Sequence, residues 1–248
     1  MSVLMPGLIH AGHDCTHGKM DHVCATCQVR ELSVCGALEP ESLVAFERLS
    51  RTVEIDAKIT LFTEGDRASH VFNVTRGVVR LYKMSPDGRR QIVGFALPGD
   101  FLGLALHDSY GVSADAVTHV TVCKFVRTAF VSYLDEHPRL MRRLHEFASH
   151  ELSLARDQMM LIGRHTAEER VAAFLFNLSE RYQRIGESGV HIQLPMSRQD
   201  IADFLALTIE TVSRTFSKLV KAKLIVIVPE GVRLLDRDGL HKLARVDV

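Results

Sequence analysis

Five cysteines occur in this chain of 248 residues, and three of them are spaced as metal ligands. Cys24 and Cys27 are separated by two residues, so both thiolates can bind one centre from a single turn, and Cys35 follows within reach of a short loop. A [4Fe–4S] cluster is usually held by four thiolates. The residues alone leave two candidates for the fourth ligand, which are Cys123 in the middle of the chain and Cys15 near its start.

Other uses of these residues remain open at this level. Zinc favours mixed cysteine and histidine ligands, so Cys24 and Cys27 could bind zinc together with nearby histidines. Cys123 could instead be a small buried hydrophobic residue of a strand, because free cysteine is commonly buried. A haem bound by His119 or another histidine, or a small molecule sensed in place of a metal, is a further alternative.

A second group of polar residues lies on two predicted helices between Met196 and Leu224. Ser197 and Asp200 form a capping pair for the first helix, and Thr208 is suited to cap the second. The apolar positions of the second helix repeat at helical spacing, which predicts one buried face. The alternative to a DNA-binding role is an ordinary pair of amphipathic helices with a solvated polar face.

The polar face of the second helix carries residue types that read DNA. Arginine can donate to guanine, glutamate can accept from the cytosine amino group, and serine can bind several base edges. The predicted base-contacting residues are Glu210, Ser213 and Arg214. The basic side chains expected on DNA phosphates are Arg198, Lys218, Lys221 and Lys223.

Two apolar runs at residues 224–228 and 232–235 follow and predict a β-hairpin wing. The helices and wing together resemble the winged helix-turn-helix of the cyclic-AMP receptor/FNR superfamily of transcription regulators. The Glu-x-x-Ser-Arg motif that begins at Glu210 is similar to that of the FNR branch, which implies binding to TTGAT-type half-sites in double-stranded DNA. Ile209 stands where the cyclic-AMP receptor branch has an arginine, and this departure favours FNR-type sites.

The cysteine spacing resembles the sensor segment of the same FNR branch, in its subgroup with the pattern C-x2-C-x7-C. This resemblance implies an oxygen-labile [4Fe–4S] cluster with no role for Cys15. The ligands that it implies are Cys24, Cys27, Cys35 and Cys123. It also implies contact with RNA polymerase, for which the predicted hairpin tip at residues 85–88 is the expected surface.

Short β-branched runs between the cysteines and the helix pair alternate with turn residues, a pattern typical of a β-roll or jelly roll. After a short helix over 38–49, the predicted strands are 53–55, 59–62, 71–74, 78–82, 91–96, 101–104, 116–117 and 120–126. This region resembles the cyclic-nucleotide-binding fold. Asp115 stands where that fold contacts the cyclic phosphate, and its charge has the wrong sign, so no cyclic nucleotide is expected.

A long helix is predicted from Pro138 to about Ile162, because Pro138 suits the first helical position and no glycine or proline follows within the span. It carries two apolar stripes. The stripe expected to pack on the chain's own β-roll is Leu140, Leu144, Phe147, Leu154 and Leu161. The stripe with coiled-coil spacing, which predicts a homodimer, is Ala148, Leu152, Ala155, Met159 and Ile162. The alternative is a helix fully buried within one monomer.

These patterns predict an α+β fold with three parts. An N-terminal β-roll sensor domain of the jelly-roll, cyclic-nucleotide-binding-like type is followed by a long dimerisation helix and a C-terminal winged helix-turn-helix. The predicted boundaries are a cysteine-bearing leader over 1–36, the β-roll over 37–137, the dimerisation helix over 138–163 and the DNA-binding domain over 164–248.

Composition and missing motifs narrow the function. No run approaches the ~20 apolar residues that a membrane span needs, so a cytoplasmic protein is expected. No P-loop, nucleophile elbow or zinc-protease motif occurs, which argues against an enzyme and leaves no catalytic residues to name. The formal net charge is zero, but the helix pair has a local excess of five basic over three acidic residues. The predicted function is an oxygen-responsive transcription regulator that binds inverted-repeat DNA as a homodimer when oxygen is low.

Overall fold

The chain forms a β-roll, a long helix and a helical domain with a small sheet, in that order along the sequence. The structure is a computed structural model, and it describes residue 24 and residues 26–104 and 108–244. The α+β class and the three-part architecture predicted from the sequence are confirmed. The predictions for Cys15 and for most of the leader fall outside the described residues.

The β-roll consists of two antiparallel sheets that enclose an apolar core. One sheet has the strand order β1-β8-β3-β6 and the other β2-β7-β4-β5. The strands are β1 Ser50–Ile55, β2 Thr60–Phe62, β3 His70–Arg76, β4 Val79–Met84, β5 Arg90–Ala96, β6 Phe101–Leu102, β7 Ser113–Ala116 and β8 Val120–Val126. The strand predictions are confirmed apart from their ends, where β6 is shorter than expected and β7 begins three residues before the predicted start.

The strand β8 gives the first sheet two apolar faces. Val120 and Val122 point into the roll, whereas Cys123 and Phe125 belong to a second apolar group on the outer face. That outer face is covered by a 3-10 turn, Val34–Ala37, and by helix α1, Pro40–Arg48, whose Phe46 ring lies 4.7 Å from the Phe125 ring. The segment that bears Cys24 and Cys35 is therefore packed against the strand that bears Cys123.

Two helices connect the roll to the rest of the chain. Helix α2, Arg127–Glu136, was not predicted, and it begins without a side-chain cap that would mark its start. Helix α3, Pro138–Arg164, has the predicted proline in its first turn. Of the stripe expected to face the chain's own roll, Leu140, Leu144 and Phe147 join the apolar group on the outer face of β8, whereas Leu161 joins the apolar core that includes the C-terminal domain.

The C-terminal domain contains the predicted helix pair and wing. Its elements are α4 Ala167–Arg184, β9 His191–Gln193, α5 Arg198–Leu205, α6 Ile209–Lys221, β10 Ile225–Val228, β11 Gly231–Leu234 and α7 Arg237–Ala244. The capping box of Ser197 and Asp200 is present, and Thr208 caps α6, as predicted. Strand β9, which the sequence analysis missed, adds a third strand to the wing.

The β-roll and the DNA-binding domain are docked on each other through strands β4 and β5. The Phe95 ring of β5 packs between Phe174 and Phe204, with ring centres 6.3 and 5.5 Å away. Beside this contact, Arg80 and Arg90 both pair with Asp200 of α5, at 3.1 and 2.7 Å. The carboxylate that caps α5 therefore also anchors the two domains to each other.

The ionisation of Asp200 should control the strength of this docking. Burial acts to raise the pKa of Asp200, but hydrogen bonds from Ser197 and the charges of Arg80 and Arg90 outweigh it and hold the pKa below its usual range. Replacing Asp200 with asparagine is expected to lower the free energy of unfolding at pH 7 by about 3 kcal/mol, because two partly buried cations lose their partner.

Urea unfolding as a function of pH tests this prediction. A carboxylate with a lowered folded-state pKa stabilises the protein above its unfolded pKa of about 4, and the contribution is lost as the pH falls further. The difference between the wild-type chain and Asp200→Asn should therefore be constant above about pH 5 and shrink below about pH 4. Asp203→Asn is the matched control, because Asp203 pairs with Arg90 but does not cap the helix. An equal loss in both variants would contradict the dual role of Asp200.

Candidate functional site

The outer face of the first sheet brings the cysteines of the two chain regions together. Cys35 is buried in the 3-10 turn, where its backbone N–H donates to the Ser33 hydroxyl at 3.2 Å. Cys24 and Cys123 are partly buried and pack against the same apolar group as Cys35. We name this region, with Cys27 at its edge, the cysteine face.

Burial raises the pKa of Cys24, Cys35 and Cys123 on the cysteine face. The pKa of Cys24 is raised chiefly by burial, and further by Glu47 and by each of the other three cysteines. Burial likewise raises the pKa of Cys123 to about 12, with further contributions from Cys35 and Cys27. These contributions agree with the packing of Cys24, Cys35 and Cys123 in one apolar group, although Cys123 is far from the other cysteines in sequence.

The donor set of the cysteine face fits an iron–sulfur centre. It offers four thiols in a largely apolar setting, and Cys₄ is the usual ligand set of a [4Fe–4S] cluster. Within the described residues, no group of three or more His, Cys, Asp or Glu side chains has the arrangement that holds a single metal ion. A four-iron cluster sets a different requirement, because each of its thiolates binds a different iron. His119, the candidate haem ligand, lies apart on the surface, where it pairs with Asp56 at 3.1 Å.

Helix α6 presents the predicted base-contacting residues to solvent. Glu210, Ser213 and Arg214 are exposed, whereas Val212 and Phe216 on the opposite side are buried in the domain core. Thr208 caps the helix by accepting from the Thr211 N–H at 3.2 Å, which fixes the end that would enter a DNA groove. The left-handed conformation of Ala206, with φ of 52°, makes the tight turn before it.

The residues predicted to contact phosphates differ in their surroundings. Lys221 is exposed, and Lys218 pairs with Glu168 at 2.5 Å. Lys218 and Arg214 also line an open depression of about 220 Å³ beside the start of α4, where the positive end of a helix dipole favours an anion. Arg198 departs from the expectation of a free cation, because its guanidinium stacks 3.3 Å above the Phe216 ring.

Asp115 lies at the position where the resemblance predicted a loss of phosphate binding. Its buried carboxylate pairs with Arg80 at 3.1 Å and accepts a hydrogen bond from the Thr60 hydroxyl at 2.9 Å. The same arginine also reaches Asp200 across the domain contact. The charge of Asp115 can be read from the sequence, but its pairing with Arg80 cannot, because nothing in the spacing connects the two residues.

The second stripe of α3 is largely exposed in the part of the chain that the structure describes. Leu152 and Met159 are 52% and 66% exposed, and Ala148 and Ala155 are exposed beside them. Ile162, the last residue of the stripe, is partly buried. No helix in the described part of the chain combines the length and the apolar character needed to cross a membrane.

Comparison with known proteins agrees with this architecture. Residues 52–137 match the cyclic nucleotide-binding domain family, and residues 169–243 match the Crp-like helix-turn-helix domain family. The chain is 50% identical to the transcriptional activatory protein AadR of Rhodopseudomonas palustris, over 97% of this chain and 99% of that protein. It is also 50% identical to the nitrogen fixation regulation protein FixK of Bradyrhizobium diazoefficiens, over 90% of this chain and 94% of that protein.

A solved structure extends the likeness to three dimensions. The structure of FixK2 from Bradyrhizobium japonicum superposes with a TM-score of 0.75 at 34% identity, covering 80% of this chain and 99% of that one. This chain therefore shares the fold of that structure. The chain belongs to the Crp/FNR family, whose members are dimeric DNA-binding transcription regulators rather than enzymes.

Proposed function

We propose that this protein is an oxygen-responsive transcription regulator of the FNR type. In this proposal Cys24, Cys27, Cys35 and Cys123 hold a [4Fe–4S] cluster, and a homodimer binds TTGAT-like inverted repeats in cytoplasmic DNA when oxygen is low. The convergence of two distant cysteine-bearing segments on one sheet face carries the proposal. The bound cluster would supply iron–sulfur bonds between these segments and a centre that reacts with oxygen.

The cysteine face touches the start of the dimerisation helix. Leu140 of α3 is fully buried in the same apolar group as Cys35, and Arg143 donates to the Glu31 carbonyl at 3.4 Å. A shift of the turn that bears Cys35 therefore changes the contacts of α3 directly. A marginal dimer responds strongly to such a change, because a few kcal/mol switch the populations of a two-state system.

Dimerisation through the exposed stripe of α3 is testable by one substitution. Met159→Glu should weaken self-association at least about 10-fold, because the two copies would place like charges across the interface. Sedimentation equilibrium of the anaerobically purified protein measures the effect.

Met160→Glu is the matched control for this substitution. Met160 is 57% exposed and one position away from the stripe, so the same charge there should leave the dimer intact. Equal weakening by both substitutions would show that this stripe is not the seam.

Two copies of α6 on such a dimer would read the two half-sites of an inverted repeat, which lie about one DNA turn apart. We further propose that the protein activates transcription through contact with RNA polymerase at residues 85–88, and that the roll binds no cyclic nucleotide. The pairing of Asp115 with Arg80 supports the last point, because the carboxylate occupies the cation that an anionic ligand would need.

One set of measurements on the full chain tests the function. Protein purified without air should contain about four irons and four acid-labile sulfides per chain, and should bind the inverted repeat only before exposure to air. A protein that contains zinc or haem instead would favour the corresponding alternative sensor. A colourless, metal-free protein that binds the repeat both with and without air would also contradict the cluster.

A further inference from the structure

Asn73 on strand β3 is a buried amide without a partner for its oxygen. The residue is 1% exposed, and its Oδ1 accepts no hydrogen bond within the part of the chain that the structure describes. A buried amide oxygen without a hydrogen bond destabilises the fold, so a functional reason for this residue is expected.

The strand register places Asn73 beside a cysteine of the cysteine face. Asn73 lies directly opposite Cys123 on β8 and opposite Phe101 on β6. Directly opposed residues of antiparallel strands project from the same side of the sheet, with Cβ atoms about 5 Å apart. Val71 and Phe125, which share this side, belong to the apolar group that contacts Cys35. The amide therefore lies on the sheet face that carries this apolar group and Cys123.

We propose that Asn73 is a positioning residue that donates an amide N–H to the Cys123 thiolate or to an adjacent sulfide of the cluster. This inference rests on the proposed function. An amide carries both a donor and an acceptor on one end, and rotation about its last torsion brings the N–H to the place where the oxygen now stands. Hydrogen bonds to the sulfurs of an iron–sulfur centre tune its potential and its stability.

Two substitutions separate this role from packing. Asn73→Leu keeps the number and branching of the side-chain heavy atoms and removes the donor, whereas Asn73→Ser keeps a donor and leaves a small cavity. Without iron, the leucine variant should be at least as stable to urea as the wild-type chain, because it removes an unpartnered amide. The serine variant should be less stable because of its cavity. If the role of Asn73 is purely structural, retention of the cluster should follow the same order as the stability of the iron-free variants.

For the loaded protein, the proposal predicts that the two variants exchange places and that both lose iron faster than the wild-type chain. Asn73→Leu should release its iron to a chelator without air about 10-fold faster than the wild-type chain, with an altered iron–sulfur vibrational spectrum, and Asn73→Ser should lie between them. Thr52→Val is the matched control, because Thr52 faces Cys123 from β1 but is exposed to water, and it should behave as the wild type.

Each outcome decides between the hypotheses. If the wild-type chain binds iron and sulfide but Asn73→Leu releases iron at the same rate, with an unchanged spectrum, the role of Asn73 is refuted and the proposed function stands. A wild-type chain that binds no iron or sulfide overturns the proposed function, and this inference with it. An effect of Thr52→Val as large as that of Asn73→Leu would also refute a specific role for the buried amide.

Discussion

Replacing Cys123 with serine should remove the iron from anaerobically purified protein and abolish specific DNA binding. In the proposed site, Cys123 is the ligand that would connect the β-roll to the segment from Cys24 to Cys35, so its loss would remove the bond that the cluster makes between that segment and the sheet. Affinity for the inverted repeat should fall toward the non-specific level, on the order of 10³-fold, because a monomer uses one half-site. Metal analysis and an anaerobic gel shift measure both effects.

The other cysteines divide into proposed ligands and a control. Serine at Cys24, Cys27 or Cys35 should have the same consequence as serine at Cys123, whereas Cys15→Ser should retain iron and DNA binding. Circular dichroism of each variant establishes that the fold is retained. Full anaerobic binding by Cys24→Ser would refute control of DNA binding by the cluster.

Replacing Arg214 with alanine should abolish discrimination between the inverted repeat and scrambled DNA. A bidentate contact from arginine to guanine discriminates by about 1–3 kcal/mol, and a homodimer makes each contact twice, which gives about 2–6 kcal/mol in total. Arg214 is exposed on α6 and its nearest polar partner is the Thr211 hydroxyl at 3.4 Å, so no core contact is lost with it. Equilibrium titration of both DNAs without air measures the loss.

Lys221→Ala provides the contrast for Arg214→Ala. Lys221 is exposed at the end of α6, and a phosphate contact there should add affinity without sequence preference. Its loss should weaken binding to both DNAs equally and reduce the slope of log affinity against log salt by about 1 for each chain. If Arg214→Ala showed this uniform behaviour instead, Arg214 would be a phosphate contact and not a reader of bases.

The elements with strong local signals were predictable from the sequence. Pro138 marked the start of α3, and Ser197 with Asp200 marked the start of α5, because proline and capping side chains act within one helical turn. Helix α2 follows β8 with no cap, and β9 has only three residues, so neither has a signal of its own. Tertiary contacts stabilise these two elements, so a local sequence pattern cannot predict them.

The site was predictable in its residue types and not in its surroundings. The spacing of the first cysteines predicted a metal centre, but only the family resemblance chose Cys123 over Cys15 as the fourth ligand. The burial of Asn73 depends on the cover that the amino-terminal segment places over the sheet, which strand alternation alone does not reveal. The pairing of Arg80 with Asp200 joins residues 120 positions apart, and no pattern in the sequence links them.

The docking of Phe95 between Phe174 and Phe204 bears on how such regulators can be re-engineered. A chimera cut between α3 and α4 would leave an aromatic surface bare on each half, and would separate Asp200 from both of its arginines. The DNA-binding domain is therefore not an independent module. A new sensor domain that is fused to it must carry a β4–β5 hairpin that restores these aromatic and ionic contacts.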